Sequence, residues 1–230
     1  MSYVFPLQQA AVPIAGSQDL FPVRRIYCVG RNYAEHAKEM GFDARELPFF
    51  FCKPADAVVP VLPGTVGQVA YPSLTENLHH EIELVVAIGK GGSNIPVAQA
   101  NAHIYGYAVG LDMTRRDLQF AMRDKGRPWE IGKAFDQSAP IGPIHPLGAT
   151  GIIEQGVIWL KVNGQDKQGS DIARLIWSVP EIVAKLSEYF SLAPGDLIFT
   201  GTPEGVGRVH KGDALVGGIA GLGELSIVLV

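Results

Sequence analysis

The sequence predicts a mainly β fold with short helices, an α+β chain built around a mixed β-sheet that rolls on itself. Two observations carry this. The 27 Gly and 16 Pro cut the 230 residues into short pieces, and most of those pieces are β-branched or apolar runs without helical periodicity. Turn signals such as Asn163-Gly164, Pro194-Gly195-Asp196 and Lys211-Gly212-Asp213 then fall where strands would have to reverse.

Taken in order, the predicted strands are Ile26 to Val29, Phe49 to Cys52, Ile82 to Ile88, Tyr105 to Leu111, Val157 to Val162, Leu197 to Thr200 and Leu225 to Val230. Three stretches predict helices. The first runs from Tyr33 to Met40 and stops at Gly41; the second covers Val97 to Asn101 after Pro96. In the third, Pro180 to Phe190, the residues Ile182, Val183, Leu186 and Tyr189 form an apolar stripe. There is no internal repeat or linker, so residues 1–23 are expected to be an N-terminal extension and 24–230 a single catalytic domain.

Composition narrows the function classes. With 19 Lys and Arg against 23 Asp and Glu and no basic run, an electrostatic footprint for nucleic acid is missing. Small-molecule chemistry is the better expectation. The 47% hydrophobic content predicts a globular chain that buries some surface in a homo-oligomer. Cys28 and Cys52, both in apolar strand-like segments, predict reduced core residues rather than a disulfide. The first 23 residues lack Lys and Arg and no apolar run approaches membrane-spanning length, which predicts a cytoplasmic protein without a membrane partner.

The most informative stretch is His79-His80-Glu81-Ile82-Glu83-Leu84. Strand alternation places Glu81 and Glu83 on one face, where two carboxylates repel unless a cation lies between them. Such a pair suits a hard divalent ion, although a solvated strand face would show the same alternation. Asp112 adds a third carboxylate where the apolar run Tyr105 to Leu111 reaches a loop. That loop, Thr114 to Gln119, is dense in groups able to bind an anion. His79 and His80 are left out of the metal site because His80 points away from Glu81.

Between Cys28 and Gly41 a strand, a turn and a short helix follow one another. His36 and Glu39 lie three apart on one helical face, the layout of a general base with an orienting carboxylate. A wet amphipathic helix would present the same residues. Gly132-Lys133 and the Gly-rich turn Thr200-Gly201-Thr202-Pro203 are further candidates, the turn because its backbone N–H groups could hold a carboxylate or an oxyanion. Walker A, G-x-S-x-G, H-E-x-x-H and dinucleotide fingerprints are all missing.

In order, Cys28-Val29-Gly30-Arg31-Asn32-Tyr33, His79-His80-Glu81-Ile82-Glu83-Leu84, Gly110-Leu111-Asp112-Met113-Thr114-Arg115-Arg116-Asp117 and Thr200-Gly201-Thr202-Pro203 resemble the fumarylacetoacetate hydrolase family, from about Arg24 to the C-terminus. Within it the chain is most similar to the acylpyruvate and fumarylpyruvate branch. The resemblance implies a β-roll homodimer with Mg²⁺ or Mn²⁺ on Glu81, Glu83 and Asp112. It implies that His36 and Glu39 activate water on a mobile helix, that Lys133 contacts the substrate and stabilises charge there, and that Gln119, Thr200, Gly201 and Thr202 contact substrate; Arg31 and Arg116 are further candidate substrate contacts. The implied reaction is hydrolysis of the C–C bond of a 2,4-diketo acid such as fumarylpyruvate. Oxaloacetate decarboxylation, 2-keto acid isomerisation and a non-catalytic metal- or ligand-binding β domain are the alternatives.

Overall fold

The structure, a computed structural model, describes residues 3–6, 8–33 and 46–230. His36, Glu39 and most of the predicted helix from Tyr33 to Met40 lie outside the described residues.

Among the described residues, the strands form mixed sheets of eight, five, three and two strands. The largest runs in the order Phe49–Lys53, Arg25–Gly30, Asp196–Phe199, Ile82–Ile88, Ile104–Leu111, Ala139–Ile141 and Val58–Pro60, with His145–Pro146 paired to Ile104–Leu111 off this path. Its central strand, Ile82–Ile88, is buried along its whole length. Burial on both faces explains why this segment reads as a continuous apolar run broken only by Glu83. The even-numbered residues Ile82, Leu84, Val86 and Ile88 face one core, shared with the five-stranded sheet and with Ile182, Val183 and Leu186. The odd-numbered Val85 and Ala87 face a second core with Ile26, Leu197 and Phe199.

The five-stranded sheet has the order Gln165–Asp171, Val157–Val162, Ala214–Ile219, Gly223–Leu229 and Gly67–Val69. The three-stranded one joins Thr114–Arg115, Leu78–His80 and Gly207–Val209. The remaining hairpin, Ala11–Pro13 with Leu20–Pro22, places Val12 and Phe21 in the second core.

Four α-helices are described: α1 (Arg116–Arg123), α2 (Glu130–Lys133), α3 (Leu147–Thr150) and α4 (Val179–Tyr189). Helix α4 buries Ile182, Val183 and Leu186 of the predicted stripe but leaves Tyr189 exposed, and it starts in a capping box, where Ser178 and Glu181 close the first turn reciprocally. Elsewhere the structure corrects the sequence expectations. The Thr114 to Gln119 loop is a two-residue strand followed by α1, whose buried residues are Arg116 and Gln119. A helix that buries polar groups has no apolar stripe to reveal it. The Val97 segment is a 3₁₀-helix over Val97–His103. The strand Gln165–Asp171 went unpredicted because most of it is solvent-facing and polar; its ladder with Val157–Val162 holds it. Cys28 is buried as expected, but Cys52 is exposed, since alternation along Phe49–Lys53 turns Lys53 inward and Cys52 outward.

Candidate metal centre

Three carboxylates meet where the central strand begins. Leu111 pairs with Ile82 across the ladder, and the Asp112 N–H donates to the Glu81 carbonyl at 2.9 Å. The end of one strand and the start of its neighbour are thus pinned side by side. Glu81 occupies the break between Leu78–His80 of the small sheet and Ile82–Ile88 of the large one. Gln168 spans that break: its Oε1 accepts from His80 Nδ1 at 2.9 Å and from the Ile82 N–H at 3.1 Å. Ligand atoms of Glu81, Glu83 and Asp112 all lie within 4.8 Å of one another, and all three residues are buried.

Cations surround two of the three. Lys133 Nζ bridges Glu81 Oε2 at 2.8 Å and Asp112 Oδ2 at 2.7 Å. Arg116 Nη2 donates to Glu81 Oε1, and Thr114 Oγ1 donates to the same oxygen at 3.1 Å. Lys53, whose side chain is fully buried, lies 2.8 Å from Asp112 Oδ1. That contact is an ion pair off the hydrogen-bond direction, because Asp112 Oδ1 accepts no aligned donor. The Lys53 ammonium instead donates to the carbonyls of Met113 and Lys133.

Glu83 differs. Among the described residues it has no ion pair, and its Oε2 accepts the Gly201 N–H at 2.7 Å. Burial, with Asp112 and Glu81 beside it, holds its carboxyl well above the ordinary carboxylate range, against the pull of the Gly201 hydrogen bond. Burial alone would lower the Lys133 ammonium, yet Asp112 and Glu81 raise it above its usual value. A buried carboxylate facing two others is what an all-oxygen site for a hard divalent ion looks like when its charge is uncompensated. All three donors are carboxylate oxygens, so these residues fit Mg²⁺ or Mn²⁺.

The Thr200 turn serves this site from below. Thr200 Oγ1 donates to the Leu84 carbonyl at 2.9 Å and Thr202 Oγ1 to the Ile82 carbonyl at 2.8 Å. Gly201 has φ +103°, and a Cβ there would sit 2.7 Å from that of Asn32. Only glycine presents its N–H to Glu83 in that conformation. The turn does hold a carboxylate, but the protein's own. Thr200 and Gly201 line no part of the cleft, whereas Thr202 reaches its wall.

Above the carboxylates a cleft opens to solvent. Glu81, Asp112, Lys133, Arg116 and Gln119 form its polar floor, and Phe49, Phe51, Phe120 and Trp129 form apolar walls. Arg116 Nη1 donates to Gln119 Oε1 at 2.6 Å, so these two predicted substrate contacts are held by the protein and by each other. Arg31 is at the rim, its guanidinium 5.3 Å from the Phe49 ring centre. His80 is engaged with Gln168, and His79 Nδ1 accepts from Arg116 Nε at 3.4 Å; neither joins the carboxylate cluster.

The model of the fumarylacetoacetate (FAA) hydrolase C-terminal family matches residues 25–230. The chain belongs to the fumarylacetoacetate hydrolase family. It is 50% identical over 184 residues to fumarylpyruvate hydrolase from a Ralstonia species, covering 80% of this chain and 93% of that protein. It is 41% identical over 199 residues to the mouse mitochondrial oxaloacetate tautomerase FAHD1, with 86% and 88% covered. In three dimensions it is similar to the crystal structure of fumarylpyruvate hydrolase from Pseudomonas aeruginosa in complex with Mn²⁺ and pyruvate. That match has a TM-score of 0.98 and 62% identity, and covers 100% of this chain and 99% of the other.

Two residues of this family member's site were not picked out in the sequence. Lys53 directly follows the predicted strand Phe49 to Cys52, and its inward position is apparent only in the fold. Asn32, fully buried, ties the end of Arg25–Gly30 to the Thr200 turn: its Nδ2 donates to the carbonyls of Thr200 at 2.8 Å and Trp177 at 2.9 Å.

Proposed function

We propose that this chain is a divalent-metal-dependent hydrolase that cleaves the C–C bond of a 3-acylpyruvate, fumarylpyruvate foremost, giving fumarate and pyruvate. The carrying observation is the buried Glu81, Glu83 and Asp112 cluster, of which Glu81 and Asp112 line an aromatic-walled cleft. The fumarylpyruvate hydrolases at 50% and 62% identity support the choice of substrate.

Glu81, Glu83 and Asp112 would hold Mg²⁺ or Mn²⁺, which when bound supplies a Lewis acid at the oxygens of the pyruvate end. The protein's own groups do the rest. Lys133 and Gln119 face the reacting part of the cleft and stabilise negative charge as it develops there. His36, oriented by Glu39, takes a proton from the water that attacks the distal acyl carbonyl. The new C–O bond forms as the C–C bond breaks, and the released carbon is protonated to pyruvate. Arg116 fixes Glu81 and Gln119, and the walls of Phe49, Phe51, Phe120 and Trp129 keep water away from the acyl chain.

A homodimer is part of this proposal, supported by the 47% hydrophobic composition. A second activity, on oxaloacetate, is favoured by the 41% identity to the mouse tautomerase. The test is loss of the enol absorbance of fumarylpyruvate on addition of Mn²⁺ to chelator-treated protein, with pyruvate measured in parallel. If oxaloacetate alone is converted and no pyruvate is released from fumarylpyruvate, the hydrolase proposal is wrong.

A further inference from the structure

The outer end of the cleft carries charge that the metal centre does not use. Helix α1 presents Arg116, Gln119, Phe120 and Arg123 to the cleft, at spacings of three, four and seven that share one helical face. The first two are buried in the floor, and the last two continue the same face toward solvent. The Arg123 guanidinium lies 4.4 Å from the Phe120 ring centre, a stacking that holds the side chain along the wall. Arg31 lines the same cleft, its guanidinium 5.3 Å from the Phe49 ring centre.

Arg123 does have a partner: its Nε and Nη2 donate to Asp124 Oδ1 at 3.0 and 2.9 Å. Both side chains of that pair are solvent-exposed, so it is worth little and can be exchanged for a better anion. Arg123 Nη1 has no hydrogen-bond partner among the described residues.

Building on the hydrolase reading of this site, we infer that Arg123, stacked on Phe120 at the solvent end of the cleft, is a specificity-determining residue. It binds a carboxylate at the far end of the acyl group. The preferred substrate is then a flat, unsaturated acylpyruvate that ends in a second carboxylate, its planar chain lying between the aromatic walls.

The experiment has two arms, both on the Mn²⁺-loaded full chain. In the first, kcat/KM is measured for fumarylpyruvate and for acetylpyruvate, which lacks the distal carboxylate. R123Q should lower the ratio of the two by about 10-fold, chiefly through KM for fumarylpyruvate, and R123K should recover part of it. An equal loss on both substrates, or no loss, overturns the assignment. In the second arm, calorimetry compares fumarate with crotonate, the same chain without its second carboxylate. Fumarate should bind about 10-fold tighter to the parent and lose that advantage in R123Q; an advantage that is missing, or that survives R123Q, overturns the subsite. Should neither acylpyruvate be cleaved while the fumarate advantage disappears in R123Q, the hydrolase reading fails and the anion subsite stands.

Discussion

Lys133 Nζ lies 2.7 Å from Asp112 Oδ2, so the last residue of the short helix α2 is locked to the residue that ends a core strand. Lys53 holds the other side of the same carboxylate and also takes the Lys133 carbonyl. Asp112 is therefore compensated by two buried ammonium groups, and Glu83 by none among the described residues.

This asymmetry predicts opposite effects on the metal-free protein. Asp112→Asn leaves two buried cations short of a counter-charge and should cost about 3–5 kcal/mol. Glu83→Gln relieves carboxylate repulsion and should leave stability at or above the parent's. Both variants should lose Mn²⁺ binding. Urea unfolding and calorimetric titration measure the two properties separately, and equal destabilisation of both variants would contradict the charge assignment.

Metal itself should stabilise the fold by mass action. At about 100 times its dissociation constant, a bound ion adds about 2.7 kcal/mol, which for a chain of this size raises Tm by roughly 5–10 °C. Scanning calorimetry across a Mn²⁺ series should show Tm rising with concentration. An unmoved Tm would mean that the three carboxylates do not bind the ion in the folded state.

Gly201→Ala tests the turn beneath Glu83. The substitution meets Asn32 at 2.7 Å and must adopt φ near +103°, so the turn should shift and carry its N–H away from Glu83. Stability should fall by about 1–2 kcal/mol. Activity should fall further than that loss of folded protein explains, which is read by correcting kcat for the folded fraction.

For His36 the informative quantity is a ratio. His36→Ala should lose about 10²- to 10⁴-fold in acylpyruvate hydrolysis, and Glu39→Gln somewhat less. Any oxaloacetate decarboxylation by the same preparations should drop far less, because that reaction needs no attacking water. Equal losses in both activities would remove His36 from the base role.

What the sequence showed of this site follows physical lines. Glu83 was legible because it interrupts an otherwise apolar strand, and Glu81 and Asp112 because they border apolar strands; alternation sets Glu81 on the face of Glu83. The helical state of Arg116 and Gln119 was hidden, since their face of α1 is buried through hydrogen bonds rather than apolar area. Lys53 was invisible as a partner of Asp112 because only the fold brings residues so distant in sequence together. Residue type favoured Cys52 for the interior, yet the pleat places Lys53 there, and its two backbone acceptors compensate the ammonium. The Gly201 turn was read for its donors, but their acceptor, Glu83, emerges only when Asp196–Phe199 pairs with Ile82–Ile88.

The single face that α1 turns to the cleft divides labour along its length. Its inner turn belongs to a charge lattice with Glu81 and cannot vary without loosening the floor. Its outer turn, with Phe120 and Arg123, is bordered by solvent, and the Arg123 guanidinium pairs only with the exposed Asp124 among the described residues. Exchange at those two outer positions can therefore redirect such a scaffold toward shorter, bulkier or uncharged acyl groups while the reaction centre is inherited intact. On this arrangement, substrate preference can diverge faster than chemistry.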